Sequence, residues 1–109
     1  DWVLVRHHRR STWEIPAGHV EQGETVYEAA HRELFEETGA KKYEMTCLSS
    51  YSGQYNGQTV YGMLFHAEIQ EFGPQPESEI ADKKFFPTIP DNLTYPDIQP
   101  QFIQYYLNS

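Results

Sequence analysis

The sequence has one cysteine, no long apolar run and few positive charges, and each shortage removes a class of function. Cys47 alone cannot close an internal disulfide or build a Cys-rich zinc site. Its neighbours Met45, Thr46 and Leu48 suggest an ordinary buried strand position. A chain without disulfides fits the cytoplasm. Nothing approaches the ~18 consecutive apolar residues of a membrane span, so no membrane partner is expected. The opening DWVLVRHHRR puts apolar residues before charges, the reverse of a secretory signal. Eight Lys and Arg stand against 16 Asp and Glu, for a net charge of −8. Such a chain gains no counterion-release energy on phosphate backbones, and duplex nucleic acid is not an expected partner. An anionic substrate would require bound cations that reverse the local field.

What remains is a chain of 109 residues, 39% apolar and 22% charged, which reads as one soluble domain over residues 1–109. No repeat, low-complexity tract or linker interrupts it. Residues 2–6 read as a strand, 7–12 as a basic turn and 13–15 as a short strand stopped by Pro16-Ala17-Gly18. Residues 19–24 form a loop with Gly23 as its turn residue. Thr25 with Glu28 has capping-box spacing, and Gly39 is a helix stop, so a helix is predicted over 26–38. Residues 43–49 read as a strand, 50–58 as a loop and 59–70 as a long strand with Gly62 a candidate bulge. After a loop at 71–79, residues 80–86 lead into a last strand near 84–88. Residues 97–107 read as a helix with Ile98, Phe102 and either Tyr105 or Tyr106 on one face. The expected class is α+β, with a mixed sheet packed against helices.

The helix at 26–38 carries the chemistry. At about 100° per residue, Glu33, Glu36 and Glu37 share an arc of roughly 100°. A solvated acidic face would lie opposite the apolar stripe of Val26, Ala30 and Leu34. Instead, Glu37 falls in the middle of that stripe, Glu33 near its edge and Glu36 towards the rim. Inward-facing carboxylates that repel one another need a counter-charge, and oxygen ligands suit a hard cation, Mg²⁺ or Mn²⁺. His7, His8, His19, His31 and His66 show no zinc-ligand spacing and are expected at surface or loop positions.

Residues 18–40 read GHVEQGETVYEAAHRELFEETGA. This stretch resembles the Nudix box, G-x5-E-x7-R-E-U-x-E-E-x-G-U, in which U is a bulky aliphatic. Gly18, Glu24, Arg32, Glu33, Leu34, Glu36, Glu37 and Gly39 match at the required spacing, and Ala40 is smaller than the usual last residue. The preceding Trp13-Glu14-Ile15-Pro16-Ala17-Gly18 is similar to the family's entry segment, with Ala17 in place of a glycine. Beyond the box, the sequence is most similar to MutT-like bacterial members.

The resemblance implies an α/β/α sandwich and hydrolysis of a nucleoside diphosphate linked to another group. Members usually carry more chain ahead of the first strand found here, so an N-terminal strand is expected to be missing. Glu36 and Glu37 are the expected direct metal ligands, with Glu33 a further ligand or the general base and the Gly18 carbonyl an additional ligand. A later loop glutamate, Glu77 or by preference Glu79, is expected to complete the catalytic set. Glu24 and Arg32 tie loop to helix, Leu34 is core, and Gly23 and Gly39 serve backbone geometry; Glu28 and Arg32 also form an i,i+4 pair. Arg6, Arg9 and Arg10 are candidate phosphate contacts. Trp13, Tyr51, Tyr55 and Tyr61 are candidate base-stacking residues. The expected partner is a small nucleotide, such as a nucleoside triphosphate or an oxidised purine like 8-oxo-dGTP. An RNA 5′ pyrophosphohydrolase and a non-catalytic nucleotide-sensing module are the alternatives; an isomerase on this fold has no independent support.

Overall fold

The structure, a computed structural model, describes residues 1–108, with the side chains at positions 55 and 60 outside the description. Two antiparallel strand pairs form the frame. The first pairs β1 (Trp2–His7) with β4 (Ile80–Phe86), from Trp2 opposite Phe86 to His7 opposite Ile80, with a register shift after Arg6. The second is a long hairpin of β2 (Ala40–Tyr55) and β3 (Gln58–Phe72).

The hairpin corrects the loop expected at 50–58. Its strands run almost to the tip and reverse at Asn56-Gly57, both left-handed at φ 51° and 76°. That is the preferred chemistry of a two-residue hairpin turn, whose twist matches its strands. The Gly/Ser/Asn composition of 50–58 obscured a ladder that the Asn-Gly pair closes. Gly62 is not a bulge either: it pairs in register with Tyr51, and a Cβ there would meet the Tyr51 ring at 2.5 Å. The glycine makes room for an aromatic ring that packs across it.

Helix α1 (Val26–Thr38) begins and ends where its caps dictate. Thr25 Oγ1 accepts the Glu28 N–H at 3.1 Å, and Glu28 Oε1 accepts the Thr25 N–H at 2.8 Å. This box occupies Glu28, so the expected Glu28–Arg32 pair does not form; Arg32 binds other carboxylates. Gly39 ends the helix at φ 74°, its N–H on the Phe35 carbonyl, and a Cβ there would lie 3.0 Å from the Gly73 carbonyl oxygen. The last turn of α1 contains no basic residue. Its carbonyls are met from elsewhere: Gln75 Nε2 donates to Glu37 O at 2.5 Å and Lys83 Nζ to Thr38 O at 2.9 Å. The Lys83 ammonium rests 3.9 Å from the centre of the Phe72 ring, and burial holds its pKa down.

The short strand expected at 13–15 is reduced to two bridges, Val5 with Glu14 and a parallel one between Trp13 and Leu93. Trp13 also exchanges backbone bonds with Asn92 and Thr94, and the Ile15 N–H donates to Gln99 Oε1. The C-terminal segment therefore clamps this entry. The last strand lies at Ile80–Phe86 rather than 84–88, because Pro87 ends the ladder.

Helix α2 (Gln99–Leu107) joins the two strand pairs. Tyr106 meets Trp2 of β1 edge-on at 5.9 Å and stacks on His66 of β3 at 4.1 Å, while Phe102 packs on Tyr51 of β2 at 4.6 Å. The packing face thus uses Tyr106, and Tyr105 is exposed. Leu4, Val5, Ala29, Leu34, Ala40 and Ile80 form the buried apolar centre. Cys47 is half-buried in β2.

Two glycines separate strain from crowding. Gly57→Ala, with open space around it, is expected to cost about 1 kcal/mol from its left-handed backbone alone. Gly39→Ala adds a clash with backbone and is expected to cost at least about 2 kcal/mol. Urea denaturation of both variants checks this; equal losses would contradict it.

Candidate functional site

The C-terminal half of α1 faces the loop at residues 15–24. Glu37 lies in the apolar stripe and is only 2% exposed. Its Oε1 accepts the Ala17 N–H at 3.3 Å, and its Oε2 is buried with no hydrogen-bond partner. Burial pushes the Glu37 carboxyl up to about 9, helped by the adjacent Glu33 carboxyl and by the charge of Glu14, against the opposing pull of the Ala17 N–H. Glu33 and Glu36 lie progressively further out, with side chains 19% and 39% exposed. The inward order Glu37, Glu33, Glu36 follows the helix wheel, which ties each carboxylate's burial to its angle from the stripe.

One guanidinium organises this acid. Arg32 Nε donates to Glu24 Oε2 at 2.6 Å and Nη2 to Glu24 Oε1 at 3.0 Å, a two-pronged grip on the loop. Its Nη2 also donates to the His19 carbonyl, and its Nη1 reaches Glu33 at 2.7 Å and Glu36 at 2.9 Å. Glu21 stands 3.5 Å away. These bonds raise the Arg32 pKa, and Arg32 with the Glu21 N–H holds Glu24 below the usual carboxylate range. Gly23 turns the loop at φ 86°. Gly18 lies against Glu33 so closely that a Cβ would overlap the carboxylate.

These features fit a hard cation on three grounds. A buried carboxylate oxygen lacks a partner, the Gly18 backbone and the Glu33 carboxylate form a cradle without room for a Cβ, and the available donors are all oxygens. Among the described residues, however, no three His, Cys, Asp or Glu side chains are grouped closely enough to hold a metal. Arg32 engages Glu33 and Glu36 and is their counter-charge in this arrangement.

A second feature lies at the basic turn. Arg6, His8, Arg9, Arg10, Ser11 and Trp13 line an open hollow of about 520 Å³. The three arginines and Trp13 therefore share one surface. They are not equivalent: Arg10 Nη1 is bonded to Glu14 at 2.9 Å, Arg6 Nη1 donates to the Arg10 carbonyl at 3.1 Å, and Arg9 is exposed. Trp13 is half-buried, edge-on to Phe86 at 5.2 Å. Of the other aromatic candidates, Tyr51 is packed on α2, Tyr61 is 81% exposed on β3, and the Tyr55 side chain lies outside the description.

Glu79 is tied to the basic turn through its backbone. Its side chain is exposed and its backbone carbonyl accepts the His8 N–H at 3.0 Å; Glu77 is exposed as well. His7 departs from a surface role, being half-buried in β1 with Nε2 3.3 Å from Glu14. Sequence reasoning missed Glu14 itself, an acid 6% exposed beneath the basic turn. The signal was present: Glu14 stands between Trp13 and Ile15 and four residues after Arg10. Lys83 gave no such signal, because its partner Thr38 is 45 residues away.

Comparison with known proteins agrees with this arrangement. The NUDIX domain profile matches residues 2–102. YtkD of Bacillus subtilis (strain 168), provisionally named an 8-oxo-dGTP diphosphatase, is 32% identical over 94 residues, covering 85% of this chain and 59% of that protein. The NAD-capped RNA hydrolase NudC of Mannheimia succiniciproducens is 35% identical over 92 residues, covering 77% of this chain and 34% of that one. The chain thus spans about a third to three fifths of these curated relatives. A mutant form of the Bacillus subtilis pyrophosphohydrolase BsRppH superposes with a TM-score of 0.82 at 26% identity, over 98% of this chain and 73% of that chain. With an α+β architecture, capped acidic helix and glycine loop in place, the chain belongs to the Nudix family, on its MutT-like side.

Proposed function

We propose that the chain hydrolyses a diphosphate linkage in a nucleoside triphosphate or a related nucleoside diphosphate derivative. The observation that carries this reading is the unpartnered, buried Oε2 of Glu37 beside Glu33 and the Gly18 loop. A carboxylate oxygen withdrawn from water without a partner is costly, so such an atom marks a place for a cation or a proton. Glu36, Glu37, Glu33 and the Gly18 carbonyl are the residues that would hold Mg²⁺, with Mn²⁺ as a substitute. Bound there, the ion would neutralise phosphate oxygens and acidify a water molecule.

The remaining roles fall to the chain's own groups. Arg32 and Glu24 keep the loop against α1, so the carboxylates hold their spacing before substrate arrives. Glu33 and Glu36 are the catalytic acids of the helix, and Glu79 is the third, supported by its attachment to the turn beside the hollow. Arg6, Arg9 and Arg10 take up substrate phosphates, and Trp13 offers a flat apolar surface to a base. A hollow lined by arginines also addresses the problem of a net charge of −8, since it concentrates cationic donors where an anion must dock. The name of YtkD supports an oxidised purine triphosphate such as 8-oxo-dGTP, and the single cysteine supports a cytoplasmic setting. A 5′-triphosphate on RNA is the second reading, favoured by the likeness to an RNA pyrophosphohydrolase of Shewanella sp. (strain MR-7), 42% identical over 48 residues, and by the openness of the hollow. A non-catalytic sensor would not need Glu33, Glu36 and Glu37 together.

A panel of nucleotides assayed for phosphate or pyrophosphate release, with Mg²⁺ and then with EDTA, tests the reading. Turnover is expected only with the metal; equal release in EDTA overturns it. Glu36→Gln and Glu37→Gln are each expected to lower turnover at least about 100-fold, with the far-UV spectrum unchanged. In EDTA, the raised Glu37 value near 9 also affects stability. The folded state holds this proton more tightly than the unfolded chain, so the contribution is complete below 4.5 and lost as pH rises towards 9. Glu37→Gln is therefore expected to raise Tm in EDTA at pH 8 by on the order of 10 °C and to change it little at pH 5. A thermal melt showing no gain at pH 8 would contradict the burial of an unpaired carboxyl.

A further inference from the structure

Beneath the basic turn lies one buried acid with no role in the preceding account. Glu14 is 6% exposed, and its Oε1 binds Arg10 Nη1 at 2.9 Å while its Oε2 stands 3.3 Å from His7 Nε2. Its backbone exchanges both hydrogen bonds with Val5, which is fully buried, at 2.9 Å each. The carboxylate is thus anchored on the rigid part of β1, and the turn folds over it. Arg10 is held on a second side by Tyr95, whose ring centre lies 6.0 Å from the guanidinium carbon. The Arg10 carbonyl in turn accepts from Arg6 Nη1, and the Arg10 N–H donates to the His7 carbonyl at 3.0 Å. Yet the Arg10 side chain is 43% exposed and lines the hollow.

We propose that Glu14 is a positioning residue that fixes the Arg10 guanidinium on the wall of the hollow, so that a substrate phosphate meets an already oriented donor. The proposal rests on reading the hollow as the phosphate site. A free arginine side chain loses about 2 kcal/mol of rotamer freedom when it is immobilised. Glu14 removes that cost before binding, because its own geometry is set by buried backbone. Arg9, exposed and without a hydrogen bond or ion pair among the described residues, contributes charge but no fixed direction. The two arginines therefore respond differently to loss of Glu14.

The test is a pair of double-mutant cycles read by titration with inorganic pyrophosphate in EDTA, alongside KM and kcat on the nucleotide panel. Glu14→Gln is expected to weaken pyrophosphate binding and raise KM by about tenfold, with kcat within about twofold. In the Arg10→Gln background, Glu14→Gln is expected to have no further effect; in the Arg9→Gln background its tenfold loss persists. Unchanged affinity in Glu14→Gln overturns the proposal, as does a loss that is additive with Arg10→Gln. General collapse of the turn would make Glu14 non-additive with Arg9 as well, which also overturns it. If Glu14→Gln does not fold, Arg10→Lys carries the test, since it keeps charge and loses the fork; full pyrophosphate affinity there overturns the proposal. Failure of wild type to turn over any nucleotide, with pyrophosphate still bound through Glu14 and Arg10, defeats the hydrolase reading alone. Failure of wild type to bind pyrophosphate defeats the assignment of the hollow, and Glu14 with it.

Discussion

Four carboxylates converge on Arg32, and the loop at residues 15–24 keeps its place because they do. Two carboxylates about 6 Å apart repel by about 3 kcal/mol at an effective dielectric near 20. Glu33 and Glu36 project from successive turns of one helix, and without a shared cation they would splay. A guanidinium can serve several acids because its five donors form a planar fork. Two of its nitrogens grip Glu24, which brings the glycine loop within contact of Glu33. The same residue therefore neutralises the helix and closes the loop onto it. A lysine, a point charge on a flexible stem, lacks the geometry to do both.

The helix that carries these acids is secured at its far end by groups from other elements. Carboxylates near a helix C-terminus oppose the helix dipole, and α1 has no basic residue in its last turn. Lys83 from β4 supplies the missing positive charge at the Thr38 carbonyl, and Gln75 occupies the Glu37 carbonyl. The Lys83 ammonium also rests over the Phe72 ring, whose electron-rich face favours the charge there. The position of Glu36 and Glu37 thus depends on the strand that pairs with β1. On the other side, α2 links β1, β2 and β3 through Tyr106 and Phe102. With few fully buried aliphatic side chains, these aromatic contacts carry much of the packing between the strand pairs.

The acidic helix and the basic turn have opposite electrostatic character, and Glu14 bears on both. The helix side is acidic and fits a cation; the turn side is basic and fits an anion. Glu14 is bonded to Arg10 and its charge is felt by Glu37. In a chain with a net charge of −8, the turn thus gathers three arginines over a single buried acid.

Local chemistry was legible in the sequence where one interaction spans a few residues. Thr25, Glu28 and Gly39 set the bounds of α1, because caps act within a single turn. The wheel placed Glu37 inward and Glu36 towards the rim, because helical periodicity converts spacing directly into direction. The Asn56-Gly57 turn was equally local, but polar composition around it hid the two strands it joins. Only the tertiary structure decided which groups meet across distance. Arg10 turned to Glu14, the Glu79 carbonyl took the His8 N–H, and Lys83 reached Thr38 across 45 residues. The sequence alone determined the helix, its caps and the direction of its acids, since backbone geometry repeats every few residues. The counter-charges were decided by the fold, since charge pairing depends on separation in space and carries no periodic trace along the chain.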